Sequence, residues 1–235
     1  MIEQVLRIKI EFEGSTKPFT TPVEDYIVGL VQKILGENNK WHDNFSAYSI
    51  STMQGGVVKD KYMCFPDGGY FYVSSIDMEF IQAFTNNLIL NVGKISLRDM
   101  KMKGFAFPSS KVHSDYDIIR SISPLLLKVK NKRLVTFKDD DFVYLLTEQS
   151  KKKLLHNGFT EKDVQNFEIE PFHFKGASLR HARRKQYSLP ASMVMLVVKG
   201  NVKCRKALYE MGLGSSTGYC FGAVEISEER ENNIN

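Results

Sequence analysis

Five histidines, one basic run and one glycine-rich segment are the parts of this sequence whose residue types could do chemistry. The histidines are His42, His113, His156, His173 and His181. An imidazole titrates near neutrality, which suits it to moving protons. With Cys64, Cys204 and Cys220 they form no zinc-like spacing. No His-x-Thr/Ser pair points to a two-histidine phosphoesterase, and no Gly-x-Ser-x-Gly marks a nucleophile elbow. The densest basic stretch is Leu-Arg-His-Ala-Arg-Arg-Lys-Gln-Tyr at residues 179–187, with no acid between Lys175 and Tyr187. Arg180, Arg183, Arg184 and Lys185 could hold phosphates there, and arginine can also stack on bases. His181 sits among them. The plain alternative for such a run is a solvated face.

The glycine segment, residues 209–226, reads Tyr-Glu-Met-Gly-Leu-Gly-Ser-Ser-Thr-Gly-Tyr-Cys-Phe-Gly-Ala-Val-Glu-Ile. A dinucleotide fingerprint needs Gly-x-Gly-x-x-Gly between a strand and a following helix. Here Gly218 comes one residue late, and the helix precedes the strand. No Gly-Lys-Ser/Thr follows, which excludes a P-loop. Gly212, Gly214 and Gly218 would still let backbone N–H groups approach an anion, with Ser215, Ser216 and Thr217 adding hydroxyl donors. A helix cap, a turn and a strand bulge explain the same residues equally well.

The elements that must position these groups can be read from periodicity. Residues 5–13 alternate, with Leu6, Ile8, Ile10 and Phe12 on one side and Arg7, Lys9, Glu11 and Glu13 on the other, as in a half-buried strand. Residues 14–22 read as loop. Ile27, Leu30, Val31 and Ile34 predict a helix over 23–35, ended by Gly36. Strands follow at 45–53 and 70–74, then a helix over 77–90 opened by Asp77, then a strand over 94–107. The order recurs: extended segments at 118–130 and 133–137, a helix over 139–155, and extended segments at 167–174 and 179–189. A strongly apolar strand at 193–199, a short helix at 202–211 and a strand at 219–226 complete it. Lys151, Lys152 and Lys153, late in their helix, read as complements to its own dipole. The expected fold is α+β: two tandem ferredoxin-like (RRM-like) β-α-β-β-α-β domains, residues 1–115 and 116–235.

Gly-Leu-Gly-x-x-x-Gly-x-x-x-Gly-x-Val, after a helix and near the end of the chain, closely resembles the signature of the repeat-associated RNA-binding superfamily. Within it, the CRISPR repeat-processing endoribonucleases fit best. Tyr26-Ile-Val-Gly-Leu30, the run at 69–74 and Ile122-Ser-Pro124 resemble further family segments. The resemblance implies cleavage of RNA without metal or cofactor, with the ribose 2′-OH as nucleophile and 2′,3′-cyclic phosphate and 5′-OH ends. Such chemistry needs a base, an acid and donors for the added charge on phosphorus. Some members carry a histidine at the start of the first helix, where this chain has Glu24-Asp25. Trp41-His42-Asp43, in the loop after that helix, resembles the arrangement of others. His42 is thereby the expected acid or base, with Tyr26 facing it and Lys40 stabilising phosphate charge; His181 is the competitor. The glycine segment and the basic run are then expected to bind RNA.

The bulk numbers fit this. A net charge of +5 in 235 residues suits a polyanion ligand without requiring one. Three cysteines without a zinc spacing suit a reduced, cytoplasmic compartment. The first residues read as a strand, not a signal peptide, and no apolar run is long enough for a membrane. The partner implied by resemblance is CRISPR repeat RNA, with subunits of a CRISPR effector complex and a second copy as further possibilities. The runner-up is a non-catalytic subunit that holds guide RNA in such a complex.

Overall fold

The computed structural model describes residues 6–36, 39–41, 47–108, 112–113, 115–130, 133–172, 178–184 and 187–227, with 178–184 and 187 described by their backbone alone. The alternating segment near the start becomes strand β1 (Arg7–Phe12), with Ile8, Ile10 and Phe12 buried. The helix read from spacing is α1 (Val23–Leu35), which buries Ile27, Leu30, Val31 and Ile34. Gly36 ends it at φ +94°, its N–H donating to the Gln32 carbonyl. Such left-handed backbone favours glycine. Helix α2 (Met78–Leu90) begins at Asp77, whose carboxylate accepts from the N–H groups of Glu79 and Phe80. That satisfies two of the donors a helix start leaves open.

Between these elements lie β2 (Ser15–Phe19), β3 (Tyr48–Ile50), β4 (Val57–Lys59), β5 (Tyr62–Phe65) and β6 (Gly69–Ser75); β7 (Ser96–Leu97) and β8 (Met100–Ala106) follow. The first sheet runs β3-β6-β1-β8-β7. Its first four strands, with the two helices, have the ferredoxin-like order second-third-first-fourth. A small sheet β2-β5-β4 stands beside it. This corrects the loop expected at 14–22. Strand β2 has four of its five residues at least partly exposed and contains Pro18, so its sequence carries little of the alternation that marks a strand.

The second sheet is built from β9 (Tyr116–Ser121), β12 (Glu168–Pro171), β15 (Met195–Lys199) and β16 (Val224–Ile226), in the order β12-β15-β9-β16. It is backed by α3 (Phe142–His156), with the short α4 (Glu161–Val164), and by α5 (Val202–Met211). The strand order is again second-third-first-fourth, so the chain folds as two tandem ferredoxin-like units of the α+β class. Two ribbons complete it: β10 (Leu127–Lys128) with β11 (Leu134–Val135), and β13 (Ser178–Arg184) with β14 (Tyr187–Met193). Each sheet has its own apolar core, one centred on Ile10, Phe71 and Phe80, the other on Leu146, Leu196 and Leu208.

The halves meet along a polar seam. The last carbonyls of α5 would be left open at the helix end, and groups from three other elements fill them. Arg7 Nη2 donates to the Tyr209 carbonyl (2.9 Å), Ser49 Oγ to that of Glu210 (2.9 Å), and Lys153 Nζ to those of Met211 (2.7 Å) and Gly212 (3.0 Å). Two cations thus sit at the negative end of the α5 dipole. Lys153 serves this second helix, not the end of its own as its sequence position suggested. Arg7, read as a polar-face residue, is 1% exposed, and its guanidinium lies 3.8 Å from the centre of the Tyr209 ring.

Candidate nucleic-acid interface

Strand β6 alternates, so Phe71 and Val73 enter the core while Tyr70 and Tyr72 stand on the opposite face. Their rings meet edge to face at 5.6 Å. Lys9 Nζ lies 4.2 Å from the centre of the Tyr70 ring, and Arg7 lies 5.2 Å from that of Tyr72. On the second sheet Arg120 and Glu225 face each other across β9 and β16 and form an ion pair, with Arg120 Nε 2.7 Å from Glu225 Oε1. Between these two faces lies a cleft of about 880 Å³, closed at one side by the start of α1 and by Tyr219 to Phe221. The β4–β5 hairpin contributes Val58 and Lys61 to its wall.

The cleft combines aromatic rings, two cations (Lys61 and the Arg120 that pairs with Glu225) and hydroxyls. Stacked bases need the first and a phosphate backbone the second. Glu24 lines it at the start of α1, and burial pushes its carboxyl up from the ordinary range. Burial also raises the Tyr72 phenol, and it raises the Cys220 thiol well above its usual value, so that thiol stays protonated.

The glycine segment forms the seam between the halves. Thr217 Oγ1 donates to the Tyr48 carbonyl (2.8 Å) and accepts from Lys153 Nζ (3.2 Å). Ser215 Oγ accepts from the Gln149 amide (3.0 Å) and from the Lys128 N–H (3.2 Å). Gly212, Thr217 and Gly218 are buried; Gly214, Ser215 and Ser216 are half-buried. A side chain at Gly218 would meet Tyr48 Oη at 2.8 Å. Gly222 has φ +62°, and an added Cβ would stand on the Leu213 carbonyl oxygen. Gly222→Ala is therefore expected to destabilise the fold by at least about 1–3 kcal/mol from overpacking alone, measured by chemical denaturation; a loss under about 0.5 kcal/mol would contradict this packing.

The expected catalytic residues are set apart where they can be seen. Tyr26 is half-buried, edge-on to Phe19 at 5.7 Å, with the Arg98 guanidinium 5.7 Å from its ring centre. Lys40 is exposed and paired with Glu79 at the start of α2. Neither side chain is among those lining the cleft. His42, with Asp43, lies outside the described residues, as does Lys185. Arg180, His181, Arg183 and Arg184 all fall on β13, opposite Ala191, Pro190, Ser188 and Tyr187 of β14. Among the described residues no cluster of His, Cys, Asp and Glu could hold a metal ion, and no helix is long and apolar enough to cross a membrane.

Sequence reasoning missed the Tyr70–Tyr72 face and the Arg120–Glu225 pair. Alternation around Phe71 carried a signal for the tyrosines; the ion pair joins residues 105 positions apart and left none.

The family model described as CRISPR associated protein Cas6, C-terminal, matches residues 106–226. A solved structure described as CRISPR associated protein Cas6 is 18% identical and covers 96% of this chain and 100% of its own, with a TM-score of 0.73. A Cas6-related protein from Pyrococcus furiosus is 20% identical over 96% of this chain and 100% of its own, with a TM-score of 0.74. A structure titled as an RAMP protein binding different RNA substrates is 16% identical over 95% of this chain and 100% of its own, with a TM-score of 0.77. At these identities the likeness is one of fold. No curated protein matches the sequence.

Proposed function

We propose, from the premise that this chain belongs to the Cas6 family of CRISPR-associated proteins, that it is an endoribonuclease cutting CRISPR precursor RNA within its repeats. The observation that carries the reading is the match of the family model across the second half, glycine segment included. The cleft supports it, because its paired tyrosines and Arg120 suit unpaired nucleotides and their phosphates. The units that hold the RNA are residues 1–115 and 116–235. The basic residues of β13, with Lys185 next in the chain, add phosphate contacts, as do Ser215 and Ser216 of the glycine segment, which borders the cleft at Tyr219.

Cleavage proceeds by attack of the ribose 2′-OH on the adjacent phosphorus. The new 2′-O–P bond forms as the P–O5′ bond breaks. A base takes the 2′-OH proton and an acid protonates the leaving 5′ oxygen, giving 2′,3′-cyclic phosphate and 5′-OH ends. His42 is the residue assigned to proton transfer, with Tyr26 and Lys40 as supporting groups. Labelled repeat RNA incubated with the protein in EDTA is expected to be cut once per repeat with these ends. No cut, or a cut only with added divalent metal, would overturn the reading.

A second reading is a subunit that binds guide RNA without cutting it. The fold neighbour named for binding different RNA substrates favours it. Tight binding without cleavage in the same experiment would select it.

A further inference from the structure

Helix α3 buries Phe142, Leu146, Ser150, Lys153 and Leu154 along one face. A lysine on such a face must find oxygen partners. Lys153 is 4% exposed and has three: the carbonyls of Met211 and Gly212, and Thr217 Oγ1. All three belong to the end of α5 and the glycine segment that follows. Thr217 passes the link on by donating to the Tyr48 carbonyl of β3, in the first half. One ammonium therefore ties α3 to the segment, and the segment to the first sheet. Two and four residues beyond Thr217 come Tyr219 and Phe221, which line the cleft.

We propose that Lys153 is a positioning residue of the RNA site: it holds the glycine segment against β3 and so sets where Tyr219 and Phe221 stand in the cleft. The proposal rests on the reading of the cleft as an RNA surface. Burial lowers the Lys153 ammonium to about 7, as expected of an amine held among carbonyls with no carboxylate beside it.

The test uses the full chain and two variants. Lys153→Met keeps length and apolar volume but removes every donor. Thr217→Val keeps shape but removes the relay hydroxyl. Hydrogen exchange of the amides at 212–218 is expected to accelerate in both. Repeat-RNA affinity is expected to fall by at least roughly tenfold in Lys153→Met, or ~1.4 kcal/mol, with the cleavage rate at saturating RNA kept. Leu146→Ala, which opens a cavity elsewhere on α3, is the control for destabilisation alone and is expected to keep wild-type affinity. Unchanged exchange and affinity in Lys153→Met would overturn the proposal; so would an equal loss of affinity in Leu146→Ala. If Lys153→Met does not fold, Thr217→Val decides on the same two readouts. Wild-type protein that binds no repeat RNA would instead overturn the functional reading, while the exchange measurement would still test the positioning.

Discussion

Replacing His42 with alanine is expected to slow single-turnover cleavage of repeat RNA by about 10²–10⁴-fold, the usual worth of a positioned acid or base, while RNA affinity stays within about twofold. An imidazole suits proton transfer near neutral pH, and the chain is anchored on either side of His42. Trp41, directly before it, donates its indole N–H to Asp77 (2.7 Å) and packs edge-on against Phe80 at 5.4 Å. Ala47, five residues later, accepts from Ser75 Oγ and from the Ile76 N–H through its carbonyl. Trp41 and Ala47 are thus both tied near the start of α2. A proton-transfer residue must be held close to its target before its pKa can matter. Full activity in His42→Ala would move the role to His181, whose own alanine variant would then carry the rate loss.

The second large effect concerns stability. Arg205 and Asp117 form an ion pair with side chains 1% and 2% exposed. Arg205 also donates to the carbonyls of Gly200 (3.1 Å) and His113 (2.6 Å), and Asp117 accepts from the His113 N–H (2.9 Å). The pair thereby joins α5 to β9 and to the strand's approach. Removing one member leaves the other charged and buried without compensation, which costs about 3–5 kcal/mol. Arg205→Met is expected to lose that much by denaturant unfolding at pH 7. Arg205→Met combined with Asp117→Leu should recover a good part of the loss, because no orphan charge remains. A single-variant loss under about 1 kcal/mol would mean that water reaches Asp117 and that the pair is not sealed.

Much of the fold was legible in the chain because it is written in local periodicity. Spacing placed α1 and α5 over the residues they occupy, and Asp77 as the cap of α2. The segment expected as one strand over 94–107 is instead β7 and β8, joined by a turn in which Arg98 has φ +58°. A tight turn made by non-glycine residues carries little sequence signal. The β4–β5 hairpin was missed for a similar reason: its turn is made by Asp60 and Lys61, both at positive φ. The site was less legible than the fold. The glycine segment could be recognised as a signature, but the same residues allowed a phosphate loop or a packed joint, and nothing local separates the two. In the structure their hydroxyls and carbonyls bond to Tyr48, Lys153, Gln149 and Lys128.

The amino-acid sequence by itself determined the two ferredoxin-like units, since hydrophobic periodicity and helix caps act over a few residues. It also determined the family, through the glycine segment. Only the tertiary structure decided which buried cations meet which carbonyls, and that the two sheets enclose a cleft between Tyr72 and Arg120. The physical reason is range. Contacts such as Leu6 to Glu210 and Arg7 to Tyr209 join residues more than 200 positions apart. A buried charge chooses its partner by distance and desolvation in the folded state, and neither quantity exists along an extended chain.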